Sequence, residues 1–136
     1  MPTSVKRQLP LSPFLTVYRW QYTMTLSIMH RITGCALSVG ALLLVYWLIA
    51  IASGPEAYDR ALTVFAHPIT RIALIIFSYA FFYHLLNGIR HLVWDSVHWL
   101  ERREARLSGW IVFIASVIVT LLFWVVVLTR DAGGAV

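Results

Sequence analysis

The chemistry in this chain is concentrated in two short polar strings. The first is Ser27-Ile28-Met29-His30-Arg31. The second begins at His84 and runs through Gly88, Arg90 and His91 to Asp95. His84 lies within residues 72–89, a stretch without Asp, Glu, Lys or Arg. An ionisable group in so apolar a run is costly in a bilayer and by default marks a functional site. On a helix, His84, Gly88, His91 and Asp95 share one face, and the glycine leaves a notch in it. Imidazole is a common protein ligand of haem iron, and a flat macrocycle could approach the backbone at Gly88. The two propionates of a haem need cationic or hydrogen-bonding partners. His30 and Arg31 are candidates for them, with Arg90 and His91 as further candidates at the haem edge. The competing reading of His84 is a histidine hydrogen-bonded to a neighbouring helix. His84 and His91 cannot bind opposite faces of one iron, because they share a helix face and lie about 10 Å apart along the axis. The second axial ligand then comes from His30 or from another chain, and another subunit is the favoured source.

Ser27 and Arg31 are four residues apart and so share a helix face. A hydroxyl and a guanidinium at the membrane surface can hold a quinone carbonyl oxygen and stabilise the negative charge that grows as the ring is reduced. The simpler alternatives are a helix N-cap for Ser27 and snorkelling toward lipid phosphates for Arg31. Asp95 is a candidate proton relay to a reduced quinone, or an ion-pair partner of Arg90 or Arg102. His67 and His98 read as ordinary interface residues. The single cysteine, Cys35, excludes an internal disulfide and a thiolate metal cluster. There is no phosphate loop and no nucleophile triad, so nothing here could oxidise a soluble substrate unaided.

These residues must be positioned by membrane-spanning elements. Only 12% of the 136 residues are charged, against about 25% in soluble domains. Residues 32–52, 72–89 and 107–129 lack Asp, Glu, Lys and Arg entirely. Each run approaches or exceeds the roughly 18–20 residues that cross a bilayer core, and a backbone without water must be helical. The expectation is an all-α integral membrane protein with three spans at about 27–53, 68–95 and 106–129. Gly54-Pro55 stops the first helix. A short connection with a helical turn follows at residues 56–67, and Pro68 opens the second helix.

Residues 1–26 form an N-terminal segment broken by Pro10 and Pro13. It has neither the apolar core of a secretory signal nor the Arg/Ser richness of a transit peptide, which suggests a bacterial protein, with a mature organellar form as the alternative. Tyr18, Trp20 and Tyr22 fit an aromatic interface belt. Lys6, Arg7 and Arg19 precede the first span, and Arg102, Arg103 and Arg106 fall in the second connection. The positive-inside rule puts both in the cytoplasm and the C-terminus in the periplasm. The net charge of +5 sits at span ends, where it meets lipid headgroups rather than nucleic acid. Gly34, Ala36, Ser38, Gly40 and Ala41 suit close helix contact. Three helices bury few of their own faces, so a partner subunit in a shared helical bundle is expected.

The string Ser27-Ile28-Met29-His30-Arg31-Ile32-Thr33-Gly34 resembles the S-[IL]-x-H-R-x-[ST]-G signature of the cytochrome b556 family of succinate dehydrogenase. His84-x3-Gly88-Ile89-Arg90-His91-Leu92-x-Trp94-Asp95 is similar to the family's second signature. Leu11-Ser12-Pro13 and the residues through Tyr18 resemble its N-terminal stretch, although Leu9 and Phe14 stand where members often carry Arg and His. The resemblance implies one of two membrane anchors of complex II in the bacterial inner membrane, serving the tricarboxylic acid cycle and respiratory electron transport. The flavoprotein and iron–sulfur subunits would dock on its cytoplasmic face. It implies haem b with His84 as axial ligand and a second histidine from the other anchor. It places His30 and Arg31 near the propionates, and Ser27 and Arg31 at a ubiquinone site. The alternatives are a haem-free structural anchor, an anchor of a fumarate reductase using a low-potential quinone, or a channel lined by the stripe from His84 to Asp95.

Overall fold

The computed structural model describes residues 19–133, so the string from Leu11 to Tyr18 lies outside the described residues. The described chain is helical, in four elements. α1 (Tyr22–Ala52), α3 (Pro68–Asp95) and α4 (Arg102–Gly133) are each long and apolar enough to cross a bilayer. At 1.5 Å per residue the 31 residues of α1 extend about 46 Å. That exceeds the ~30 Å hydrocarbon core, so its ends reach headgroup level.

The boundaries differ from the sequence expectation in three places. α1 begins at Tyr22, with Gln21 as N-cap, so Ser27 lies inside the helix and cannot cap it. α4 begins at Arg102 and runs to Gly133, beyond the expected 106–129. Its start carries half of a capping box, in which the Glu101 backbone N–H donates to the Glu104 carboxylate at 3.4 Å. The third difference is α2 (Pro55–Ala66), a 12-residue helix where a connection with a single turn was expected. Gly54 reverses the chain at φ +98°, a region that favours glycine. Pro55 then occupies the first helical turn, and Glu56 sits favourably at the positive end of the helix dipole. α2 tucks Ala61 fully inside, sets Phe65 against Tyr46 and leaves Asp59 and Arg60 exposed. One residue separates it from α3. His67 Nδ1 accepts from the Ile69 backbone N–H at 3.3 Å, capping α3 as Pro68 opens it.

α3 is the central helix, packed against α1, α2 and α4. Tyr22 of α1 stacks on Trp110 of α4 at 5.2 Å, so the two helices start side by side. The C-terminal half of α3 packs at that same end, and the three spans run up, down and up. Leu26, Tyr83 and Val112, one from each span, form the buried cluster. The Tyr83 hydroxyl donates to the Leu26 carbonyl at 3.1 Å. Close approach depends on glycine at two seams. The Phe77 ring lies where a Gly40 side chain would be, and Leu26 fills the equivalent space at Gly109. Farther along the α3–α4 seam, the Trp124 indole N–H donates to the Ser78 hydroxyl at 2.8 Å. Much apolar surface remains uncovered, including Ile32, Val39 and Leu42 on α1. Of the small residues expected at contacts, Gly34 and Gly40 face α3, while Ala36, Ser38 and Ala41 are less enclosed.

Candidate functional site

The up–down–up arrangement brings the start of α1 against the last turns of α3. His84 reaches across this seam. Its Nδ1 lies 3.1 Å from the His30 carbonyl oxygen and 3.3 Å from the Thr33 hydroxyl. A carbonyl oxygen only accepts, so Nδ1 carries the proton and donates. The neutral ring then has its lone pair on Nε2, which makes no hydrogen bond among the described residues. This is the tautomer that metal-bound histidines adopt, held by an outer hydrogen bond to a backbone carbonyl. Thr33 is buried with its hydroxyl bonded to the carbonyls of Met29 and His30, which fixes one wall of the ring's slot. Gly34 forms another. A Cβ there would stand 3.0 Å from His84 Cε1.

His30 lies face to face with His84. Their ring centroids are 4.0 Å apart and their planes differ by 9°. Trans ligands of one iron must point nitrogens at each other across a macrocycle, and stacked rings at this distance leave no room for one. His30 is therefore a flank of His84 and not its opposite ligand. Its Nδ1 is buried without a hydrogen-bond partner among the described residues. His91 joins the group, 5.2 Å from His30 and tilted by 51°. Among the described residues, a Cβ added at Gly88 would meet no heavy atom within 4 Å, so they leave the face of α3 beside His84 open. One imidazole acceptor beside an open glycine and two further imidazoles make a donor set that fits a haem.

Ser27 is half-buried and Arg31 exposed. Neither side chain makes a hydrogen bond or ion pair among the described residues. Arg31 follows His30 by one residue, about 100° around the helix, so it projects away from the seam that His30 enters. Asp95 lies at the end of α3 and pairs with neither Arg90 nor Arg102 among the described residues. His67 caps α3, and His98 Nδ1 lies 2.7 Å from the Ser96 carbonyl.

Arg90 does not join the His84 cluster. It is 6% exposed and turned toward α4. Its Nε donates to Ser108 Oγ at 2.9 Å, its Nη2 to the Ala105 carbonyl at 2.8 Å, and its Nη1 to Asn87 Oδ1 at 3.2 Å. The guanidinium also lies 3.9 Å from the Trp94 ring centroid. Six residues on a helix turn about 240°, so the wheel already separates Arg90 from the His84 face. The expectation of Arg90 at a haem edge is replaced by a place in the α3–α4 seam. Asn87, Thr33 and Ser108 were not singled out from sequence. An amide in a charge-free span was the available signal for Asn87.

A sequence profile of the succinate dehydrogenase/fumarate reductase transmembrane subunit family matches residues 5–123. The chain belongs to this family. It is 43% identical over 117 residues to a succinate dehydrogenase cytochrome b556 subunit of Rickettsia felis, covering 85% of this chain and 90% of the relative. It is 39% identical over 117 residues to the subunit of that name from Paracoccus denitrificans, covering 86% and 90%. A succinate dehydrogenase cytochrome b560 subunit of Reclinomonas americana is 38% identical over 125 residues, covering 86% and 85%. For a succinate dehydrogenase/fumarate reductase transmembrane subunit, both polar strings fall inside the matched region. The structure assembles them at one end of the bundle.

Proposed function

We propose that this subunit is a haem b-binding anchor of succinate dehydrogenase, with His84 as axial ligand and a second anchor subunit supplying the opposite histidine. The observation that carries this reading is the hydrogen bond from His84 Nδ1 to the His30 carbonyl. It leaves the Nε2 lone pair without a hydrogen bond among the described residues, one turn of α3 from Gly88. The stacking of His30 on His84 favours an opposite ligand from outside the chain. Haem bound there supplies a one-electron redox centre. Around it, Thr33 and Gly34 hold the His84 ring, while His30 and His91 offer donors to the propionates.

The quinone role rests on Ser27 and Arg31. Both side chains lack partners among the described residues, so they are available to a ligand carbonyl. A cation next to that oxygen stabilises the charge that builds as electrons arrive. Electrons from succinate would reach ubiquinone through the flavoprotein and iron–sulfur subunits docked at this end. Reduction to the quinol also takes up two protons, and Asp95 is the candidate relay. The cationic residues before α1 and at the start of α4 favour a cytoplasmic position for this end, in a bacterial inner membrane.

A reduced-minus-oxidised spectrum of the purified complex tests the reading. A b-type band in the native complex that disappears in His84→Ala is the expected result. A band that survives the substitution, or a native complex without one, overturns it.

A further inference from the structure

Asn87 is fully buried between α3 and its neighbours, with both ends of its amide engaged. Its Oδ1 lies 3.2 Å from Arg90 Nη1, and its Nδ2 lies 3.4 Å from His91 Nε2. Arginine has donors and no acceptor, so the amide atom facing Arg90 must be the oxygen. That settles the amide orientation, which is otherwise ambiguous for an asparagine. The NH2 group therefore faces His91, and the ring nitrogen it meets must accept. A neutral imidazole accepting at Nε2 carries its proton on Nδ1. His91 Nδ1 makes no hydrogen bond among the described residues and is not among the buried unpartnered atoms. It is an accessible donor. Arg90 itself is pinned on α4 by Ser108 and Ala105, so the orientation of His91 originates on a different helix.

We propose that Arg90 and Asn87 form a positioning relay that fixes His91 as an Nδ1–H donor to a carboxylate oxygen on the face of α3 that carries Gly88. The proposal rests on the haem reading, in which that carboxylate is a propionate. Arg90 and Asn87 touch no ligand and act only through His91. A hydrogen bond to a propionate screens its negative charge from the iron, which favours the reduced state. Removing the donor therefore lowers the haem midpoint potential.

The test uses the assembled complex in two measurements. The first is the haem midpoint potential of Asn87→Leu, His91→Phe and the double variant. Both single substitutions are expected to lower it, with the double variant falling no further than His91→Phe alone. An unmoved potential in either single variant overturns the relay, and so does an additive fall in the double. A native complex with no b-type band overturns the haem reading together with the relay. A band with an unmoved potential overturns the relay alone. The second measurement needs no buried substitution. Nitrogen NMR of the reduced, 15N-histidine-labelled native complex, with the His91→Phe spectrum subtracted, is expected to show the Nδ1–H tautomer at His91. An Nε2–H signal overturns the proposal even if Asn87→Leu fails to assemble.

Discussion

The imidazoles of His30 and His84 are parallel within 9° at a centroid distance of 4.0 Å, and the backbone carbonyl of His30 holds the Nδ1 proton of His84. One residue thus acts on His84 twice, through its ring and through its main chain. The two contributions separate under mutation. His30→Ala removes the stacking ring and keeps the carbonyl, so the b-type band should persist while His84→Ala abolishes it. Difference spectra of the two purified variants decide this.

Gly34 and Gly88 flank the same histidine with opposite steric demands. A Cβ at Gly34 meets the His84 ring, whereas one at Gly88 meets no heavy atom within 4 Å among the described residues. Gly88→Leu should leave the fold within about 0.5 kcal/mol of native, as for most surface positions, and should still displace haem. Thermal stability with unchanged assembly but lost haem content is the expected pair of readings. Retained haem would mean that the macrocycle does not lie over Gly88.

At Gly40 the cost falls on the bundle itself. The Phe77 ring occupies the space a side chain needs, so Gly40→Leu should destabilise by about 1–3 kcal/mol, as overpacking does. A lowered melting temperature of the complex, with the haem spectrum unaltered in whatever fraction assembles, is the outcome to look for.

Ser27 and Arg31 have no partners inside the described chain, so their substitution should spare the fold. Ser27→Ala and Arg31→Ala should impair quinone reduction, by up to about 10²-fold if each donor acts on developing charge. Succinate oxidation by a soluble artificial acceptor should change far less. Equal losses in the two assays would exclude a local role at the quinone.

The Trp124–Ser78 bond lies within the α3–α4 seam. Interhelical hydrogen bonds in membranes average about 0.6 kcal/mol. Trp124→Phe and Ser78→Ala should each cost about that amount, and the double variant should cost little more than either one. Melting temperatures of the three complexes measure the coupling.

The spans were legible because a soluble fold rarely tolerates three membrane-length runs so poor in charge. The leaflet shared by Ser27, His30 and His84 followed from the reversal of chain direction between the first two spans. Sequence failed where local signals were ambiguous. Gly54-Pro55 and His67-Pro68 both read as breaks, which hid the 12-residue helix they bracket. The start of α1 carries Tyr22, Thr23 and Thr25 with no side-chain cap, so nothing marked the first turn. At the site, periodicity grouped His84 with Gly88 and His91 on one face. It could not show that His30 would stack on His84, since that depends on how closely Gly34 lets α1 and α3 approach. Arg90 was opaque for a related reason: the acceptors of its Nε and Nη2 lie on α4, and only tertiary structure pairs them.

Arg90 also bears on biogenesis. Among the described residues, the acceptors of its Nε and Nη2 groups, Ser108 and Ala105, both belong to α4, which leaves the ribosome after α3. A nascent chain that stops short of α4 would hold a guanidinium near the membrane with two of its donor groups unmet. α3 and α4 are therefore best delivered to the bilayer as a single hairpin, the later helix completing the insertion of the earlier one.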